Sequence, residues 1–309
     1  MNENWKCIIV GGGPAGLSAA LVLGRARQRV LLVDAGNQSN RVADAIGGLL
    51  GQRGVTPEAF YTRGNEEISE LDSVEISAAT IKSGRTVPDA NQSPEDRFRL
   101  TDTEGREHRS SHVILATGTE YTPPDIPGLE PLWGSTVFHC PFCHGWEVRD
   151  RRLAVLDDSP AALHRALMLA NWSDDVILLT NGADEPGGED RTRLESAGIE
   201  IDGRPVASLS SVDGRLTGIE FESGPGLERD AVMAGVTMVP RSELARQLGA
   251  EIRTDHPMEL VVTGEDQQTT VPGLFAAGDV QTAAPSVAPA IGTGFHAATQ
   301  VIRQLFDLG

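Results

Sequence analysis

The sequence predicts an α/β protein of two nucleotide-binding units, and three observations carry that prediction. A strand, glycine turn, helix and strand open the chain over residues 7–33, a run of the same outline occupies 153–180, and an apolar strand ending in Gly278-Asp279 follows a return to the first unit near Pro240-Arg241. A length of 309 residues is enough for two domains with their own cores, and 39% hydrophobic content is that of a globular protein. With 44 acidic against 26 basic residues and a net charge of -18, the composition argues against nucleic acid and anionic membranes as partners. The first residues, Met1-Asn2-Glu3-Asn4-Trp5-Lys6, are polar, and no apolar run approaches membrane-spanning length, so a cytoplasmic protein without a membrane partner is expected.

Residues 7–10 read as an apolar strand that runs into Gly11-Gly12-Gly13-Pro14-Ala15-Gly16, then a helix over 17–27 and a strand over 30–33. Gly11 permits the tight turn, Gly13 lets a pyrophosphate approach the backbone, and Gly16 lets the helix lie on the strand with its N-terminus toward the phosphates. Asp34 ends the second strand, where an acid can take the ribose hydroxyls of an adenosine. Cys7 reads as a small buried residue. The run 37–54, with Gly47, Gly48, Gly51 and Gly54, suits either close approach to a flat ring or a plain loop. Residues 73–82 and 98–102 alternate as strands about an exposed polar turn, Ser83 to Asp96. A buried strand leaves through Ala116-Thr117-Gly118, and Pro123, Pro124 and Pro127 mark the first domain boundary.

The second unit reads as a strand over 153–156, a helix over 161–172 and a strand over 176–180. Its turn is Asp157-Asp158-Ser159-Pro160-Ala161-Ala162. Two carboxylates there would repel a dinucleotide, since like charges about 4 Å apart cost ~1 kcal/mol in water and more where water is excluded. The strand then ends in Thr180-Asn181, with neither the acid expected for NAD ribose nor the arginine expected for a 2′-phosphate, so these residues argue against NAD(P)H. A charged loop is expected over 184–193, strands over 208–211, 217–222 and 234–238, and a closing helix over 288–308. Asp279 either bonds a hydroxylated cofactor chain or caps that helix.

Between the two units stands Cys140-Pro141-Phe142-Cys143-His144-Gly145, which holds two of only three cysteines. Pro141 is favoured at a first helical position, making Cys140 the N-cap, and a helix there would lower thiol pKa values through its dipole. Cys140, Cys143 and His144 then share one face. A structural disulfide, a zinc site with His139 and His144, and a c-type haem attachment are the rival readings; the spacing favours a redox dithiol beside a nucleotide cofactor.

Taken together, GGGPAG at 11–16, ATG at 116–118, CPFC at 140–143 and PGLFAAGD at 272–279 resemble the low-molecular-weight thioredoxin reductases, FAD-dependent members of the pyridine-nucleotide-disulfide oxidoreductases, over nearly the whole chain. The resemblance implies two Rossmann-like, three-layer ββα domains with the second inserted into the first: an FAD domain of 1–119 and 241–309, and an NAD(P)-binding-like domain of 120–240 carrying the dithiol. It implies FAD on Gly11, Gly13, Pro14, Ala15, Gly16, Asp34, Asn40, Ala116, Thr117, Gly118, Gly278 and Asp279, no metal, and a homodimer. It also implies that Cys143 lies nearest the flavin and Cys140 exchanges with substrate. His144 after the second cysteine, the altered nucleotide turn and Pro285-Ser286 in place of an arginine-glutamine pair depart from the thioredoxin reductases. CPFCHG at 140–145 resembles the branch of dithiol oxidases that includes the gliotoxin and holomycin oxidases.

The function expected is therefore oxidation of a small-molecule dithiol through Cys140-Cys143 and FAD, with O2 as acceptor and His144 moving protons. The alternatives are a reductase passing electrons from NAD(P)H or a ferredoxin to a thioredoxin-like protein, and a flavin-bound redox sensor without turnover.

Overall fold

The structure is a computed structural model that describes residues 4–87, 96–255 and 258–307. The chain divides into two compact units, one of Met1–Arg41, Pro57–Glu120 and Met238–Gly309, the other of Val42–Thr56 and Tyr121–Thr237. The expected turn of Ser83 to Asp96 and the last residue of the expected closing helix fall partly or wholly outside the described residues.

In chain order the first unit begins with β1 (Asn4–Val10), α1 (Pro14–Arg25), β2 (Val30–Val33), α2 (Pro57–Ser69), β3 (Val74–Ser77), β4 (Ile81–Thr86), β5 (Phe98–Asp102) and β6 (Glu107–Leu115). After β7 (Thr119–Thr122) come β8 (Val137–Phe138), α3 (Pro141–His144), β9 (Leu153–Leu156), α4 (Ala162–Leu169), β10 (Val176–Leu179), α5 (Gly188–Ser196), β11 (Glu200–Asp202), β12 (Val206–Val212), β13 (Arg215–Phe221), β14 (Leu227–Glu228) and β15 (Ala231–Ala234). The chain then continues through β16 (Thr237–Pro240), α6 (Leu244–Gln247), β17 (Ile252–Asp255), β18 (Met258–Val261), β19 (Leu274–Ala276) and α7 (Val287–Leu305).

In the first unit, β3, β2, β1 and β6 pair in parallel, and β6 divides its far edge between antiparallel β5 near Glu107–Ser110 and parallel β19 at Val113–Leu115. All four residues of β2 are buried, as expected of a strand covered on both faces. One face is covered by α1 and α7, which meet through small side chains: Ala19, Ala20, Ala297 and Ala298 are fully buried, and a Cβ at Gly294 would stand 2.1 Å from the Ala15 carbonyl oxygen. The second unit holds a five-stranded parallel sheet in the order β11-β10-β9-β15-β8, with a smaller antiparallel sheet of β12, β13 and β14. This is the α/β, Rossmann-like class expected from the sequence. No helix among the described residues is long and apolar enough to cross a membrane.

Several expected elements change. The charged stretch at 184–193 is a loop only at its start, because α5 forms with Glu189 and Asp190 in its first turn and Arg193 in its last, an arrangement that opposes the helix dipole favourably. The strand expected over 234–238 is two short strands, β15 and β16. The long helix α2 escapes notice because only Pro57, Tyr61 and Ile68 along it are buried, too few to make a periodic stripe.

The β5–β6 hairpin turns on Asp102. Its carboxylate accepts hydrogen bonds from the backbone N–H groups of Glu104 and Arg106 (both 2.9 Å) and from Arg106 Nε (2.8 Å), and lies 3.0 Å from His108 Nε2. The Asp102 side chain has no solvent exposure. Burial alone would raise its pKa, but these bonds outweigh it and hold the carboxyl well below the usual range. A lowered pKa means that the stability it lends is fully present above the unfolded value of about 3.9 and is lost as pH falls below it. Asp102→Asn should lower stability by about 1–3 kcal/mol at pH 7 and flatten its decline below pH 4, measured by urea unfolding across pH. An unchanged acid limb would remove Asp102 from that role.

Candidate active site

The glycine turn between β1 and α1 fits a pyrophosphate. Gly11 has φ +106°, and a Cβ on it would meet the Ala116 carbonyl oxygen at 2.3 Å; a Cβ on Gly16 would meet the Gly11 carbonyl oxygen at 1.8 Å. Gly13, by contrast, is the N-cap of α1 and has nothing within 4 Å of an added Cβ, so open space lies at the helix N-terminus. Pro14 stands at the helix start, where its missing N–H costs nothing, and Ala15 is buried behind it.

Asp34 lies over this turn. Its Oδ1 accepts the Gly12 N–H at 2.9 Å and its Oδ2 accepts Gln38 Nε2 at 2.9 Å, which fixes the carboxylate at the end of β2. Asn40 Oδ1 accepts a hydrogen bond from the buried Tyr61 hydroxyl at 2.7 Å. Ala116 is buried, Thr117 is half-buried, and Gly118 takes φ +65°. Gly278, at φ +78°, would bring a Cβ within 3.0 Å of Ala15 Cβ, which sets it and neighbouring Asp279 beside the start of α1. Asp279 does not cap the closing helix, because α7 begins at Val287 with Ser286 as its N-cap. The first unit thus gathers all the expected cofactor residues on the β1, β2, β6 and β19 ends around α1.

The dithiol lies in the second unit. Cys140 and Cys143 form a disulfide with Cα atoms 5.3 Å apart, and Cys140 is the N-cap of α3 with Pro141 following, as the sequence predicts. The helix is only four residues long, so the dipole expected to lower thiol pKa values reduces to the N–H groups of one turn. The Cys143 and His144 N–H groups both point at the Cys140 carbonyl, each at 3.2 Å.

The glycine-rich run lies against this turn, within the same unit. A Cβ on Gly47 would stand 2.0 Å from the Cys143 carbonyl oxygen, so the loop backbone rests directly on the dithiol. The sequence shows the glycines but not what they approach.

His144 stacks on Phe138 with ring centroids 5.3 Å apart and planes 13° apart. Both ring nitrogens are sealed from solvent, and neither makes a well-aligned hydrogen bond among the described residues. Burial pushes its pKa down, against an opposing pull from the Gly134 and Cys140 backbone and from Glu147 and Asp44. His139 is held between Tyr121 (4.4 Å) and Trp133 (5.8 Å), and burial lowers its pKa to about 4.

The second nucleotide turn is closed from within. Asp157 Oδ1 accepts the Ser159 N–H at 2.9 Å, and its other oxygen is paired with Arg165 on α4; the Asp157 side chain is 2% exposed. The charge of Asp157 expected to repel a dinucleotide is therefore neutralised, while Asp158 is exposed and has no ion-pair partner among the described residues. The Asp157 carboxylate instead occupies the Ser159 N–H that a phosphate would use. Thr180 Oγ1 turns inward to the Ala183 carbonyl (2.8 Å), and Asn181 Oδ1 accepts the Val206 N–H (2.8 Å). Arg165, eight residues beyond Asp157, carries no sequence signal of this role.

Beside the dithiol turn is a cavity of about 1290 Å³, lined in part by Gly47, Gly48, Trp133, Phe142, Cys143 and Trp146. Phe142 and Trp146 are exposed, at 70% and 63%.

Comparison with known proteins gives a consistent setting. The family described as pyridine nucleotide-disulphide oxidoreductase matches residues 5–294. A protein named thioredoxin reductase tcpT, from Claviceps purpurea, is 32% identical over 96% of this chain and 93% of its own length. The crystal structure of HlmI superposes with a TM-score of 0.91 at 34% identity, covering 99% of this chain and 94% of that one. An oxidoreductase from Agrobacterium tumefaciens gives a TM-score of 0.90 at 31% identity, covering 98% and 99%.

Proposed function

Because this chain belongs to the pyridine nucleotide-disulphide oxidoreductase family, we propose that it is a flavoenzyme oxidising a small-molecule dithiol to a disulfide, with Cys140-Cys143 as the relay and O2 as final acceptor. The observation that carries the reading is the second nucleotide turn, where Asp157 takes the Ser159 N–H and pairs with Arg165. A turn whose anion position is filled by its own side chain is a poor seat for NAD(P)H, and electrons must then enter from the thiol side.

The first unit is proposed to hold FAD, with the open N-terminus of α1 at Gly13 for the diphosphate and Asp34 for the ribose hydroxyls. Asp279, Asn40 and the Ala116-Thr117-Gly118 exit of β6 would line the rest of it. When bound, FAD supplies a two-electron acceptor that O2 can reoxidise.

The chain's own residues do the thiol chemistry. A substrate thiolate attacks Cys140 Sγ, the Cys140–Cys143 bond breaks, and Cys143 leaves as thiolate. The second substrate thiol then displaces Cys140, closing the substrate disulfide and leaving the protein dithiol. Two electrons and two protons leave the substrate, and with O2 the balance is one disulfide and one hydrogen peroxide. His144, next to Cys143 in the chain and with its pKa lowered by burial, is proposed to take a thiol proton and return it. The reading carries a homodimer with it.

The name of the Claviceps relative favours a second reading, a reductase that passes electrons from NAD(P)H to a thioredoxin-like protein. Anaerobic titration of the yellow protein separates the two. Dithiothreitol should bleach the flavin band stoichiometrically and air should restore it, while NADPH and NADH at 1 equivalent should leave it at least about 100-fold slower. Rapid bleaching by either nucleotide would establish the reductase.

A further inference from the structure

We infer that the substrate dithiol is a small anion, its carboxylate or equivalent group held by arginines lining the cavity beside the Cys140-Cys143 turn. This rests on the dithiol reading above.

The second unit is sparing with unpaired cations. Arg152, Arg165, Arg191, Arg193, Arg204 and Arg229 each have a carboxylate within 4.0 Å. Arg53, Arg149, Arg151 and Arg215 are its remaining arginines, it has no lysine, and none of these four has an ion-pair partner among the described residues. All four line a cavity that also meets Cys143. They come from three separate stretches of chain, the glycine loop, the segment after the dithiol and the start of β13, so their convergence is not a property of one sequence run.

The cavity holds three carboxylates as well, Asp44, Glu147 and Asp213. Asp44 and Glu147 lie near enough to act on His144, which puts their charge at the dithiol end. Asp213 sits in the left-handed turn, φ +51°, before Arg215. Four cations against three anions still reverses the balance of a chain with net charge -18.

Chemistry selects the ligand class. A guanidinium is weakly hydrated and grips a carboxylate through paired N–H groups, and here Trp133, Trp146 and Phe142 supply apolar walls. Arg149 lies over the Trp146 ring at 3.9 Å and donates one Nη1 hydrogen bond to the Trp146 carbonyl, which holds its guanidinium at the cavity wall. The cavity, about 1290 Å³ and open at Leu50, Phe142 and Trp146, has room for a small molecule.

Two isosteric probes test this on the flavin-loaded enzyme: dihydrolipoate, an anion, and dihydrolipoamide, its neutral amide. The anion should be oxidised with about five- to tenfold higher kcat/KM, the gain expected of a few partly solvated charge contacts. That ratio should shrink at 0.5 M NaCl and approach one in Arg53→Glu and Arg215→Glu, whereas Arg193→Glu on α5 changes net charge equally and should leave it. Equal rates for acid and amide would overturn the anion inference and leave dithiol oxidation standing. Failure of both probes to bleach the flavin would overturn the dithiol reading and this inference with it, and bleaching by a reduced thioredoxin alone would name a protein as the occupant and do the same.

Discussion

Cys140→Ser should retain its flavin spectrum and lose dithiol oxidation by about 10³-fold or more, because the attacked sulfur is gone and no second route to the pair exists. The fold has little reason to object. Cys140 is the N-cap of α3 and makes no side-chain capping bond, and serine is a better N-cap than cysteine. Loss of turnover with unchanged melting would therefore isolate the chemistry from stability. The companion Cys143→Ser keeps the proposed exchange thiol, and given an acyclic disulfide reagent it should form a mixed disulfide at Cys140 with release of one thiolate, detectable by mass. Oxygen consumption by Cys140→Ser at wild-type rate would sink the relay.

Gly16→Ala should strip the protein of flavin and destabilise it. The new methyl would sit 1.8 Å from the Gly11 carbonyl oxygen and 3.4 Å from Ala116 Cβ, and neither wall is free to move. Gly11 N–H is bonded to the Val33 carbonyl at 2.8 Å, and the Ala116 N–H to Val10 at 2.8 Å, so relief means pushing α1 outward. Overpacking of this kind costs about 1–3 kcal/mol or more, and roughly 2–4 °C of melting temperature per kcal/mol at this size. Gly13→Ala is the informative contrast. It has room for a methyl and an ordinary φ of -74°, so melting should hold while flavin affinity falls at least tenfold, the methyl standing where phosphate oxygens approach. If both variants keep flavin, the proposed seat for the diphosphate is wrong.

The sequence is most legible where one residue type has one physical use. Gly11 and Gly16 are glycines because carbonyl oxygens stand where their Cβ atoms would be, and Pro141 after Cys140 marks a helix start that the structure shows. It is least legible where a role depends on a partner far along the chain. Asp157 and Asp158 look alike in the sequence, yet one is buried and paired with Arg165 and the other is exposed. Gly47 could not be assigned to the Cys143 carbonyl from composition, since the loop and the dithiol are almost a hundred residues apart. The length of α3 was equally hidden, because Pro141 announces where a helix begins but nothing before Gly145 announces where it stops.

Asp157 can also be viewed as a resident competitor. A dinucleotide entering the second unit would not meet an empty cradle; its phosphate would have to displace a carboxylate tethered to the same turn and already holding the Ser159 N–H and Arg165. A tethered rival acts at an effective concentration that does not change with dilution, so it raises the apparent Kd for the nucleotide by a constant factor at every protein concentration. On the proposed reading, disfavouring a nucleotide donor is thus an intramolecular contest held within one turn of the chain.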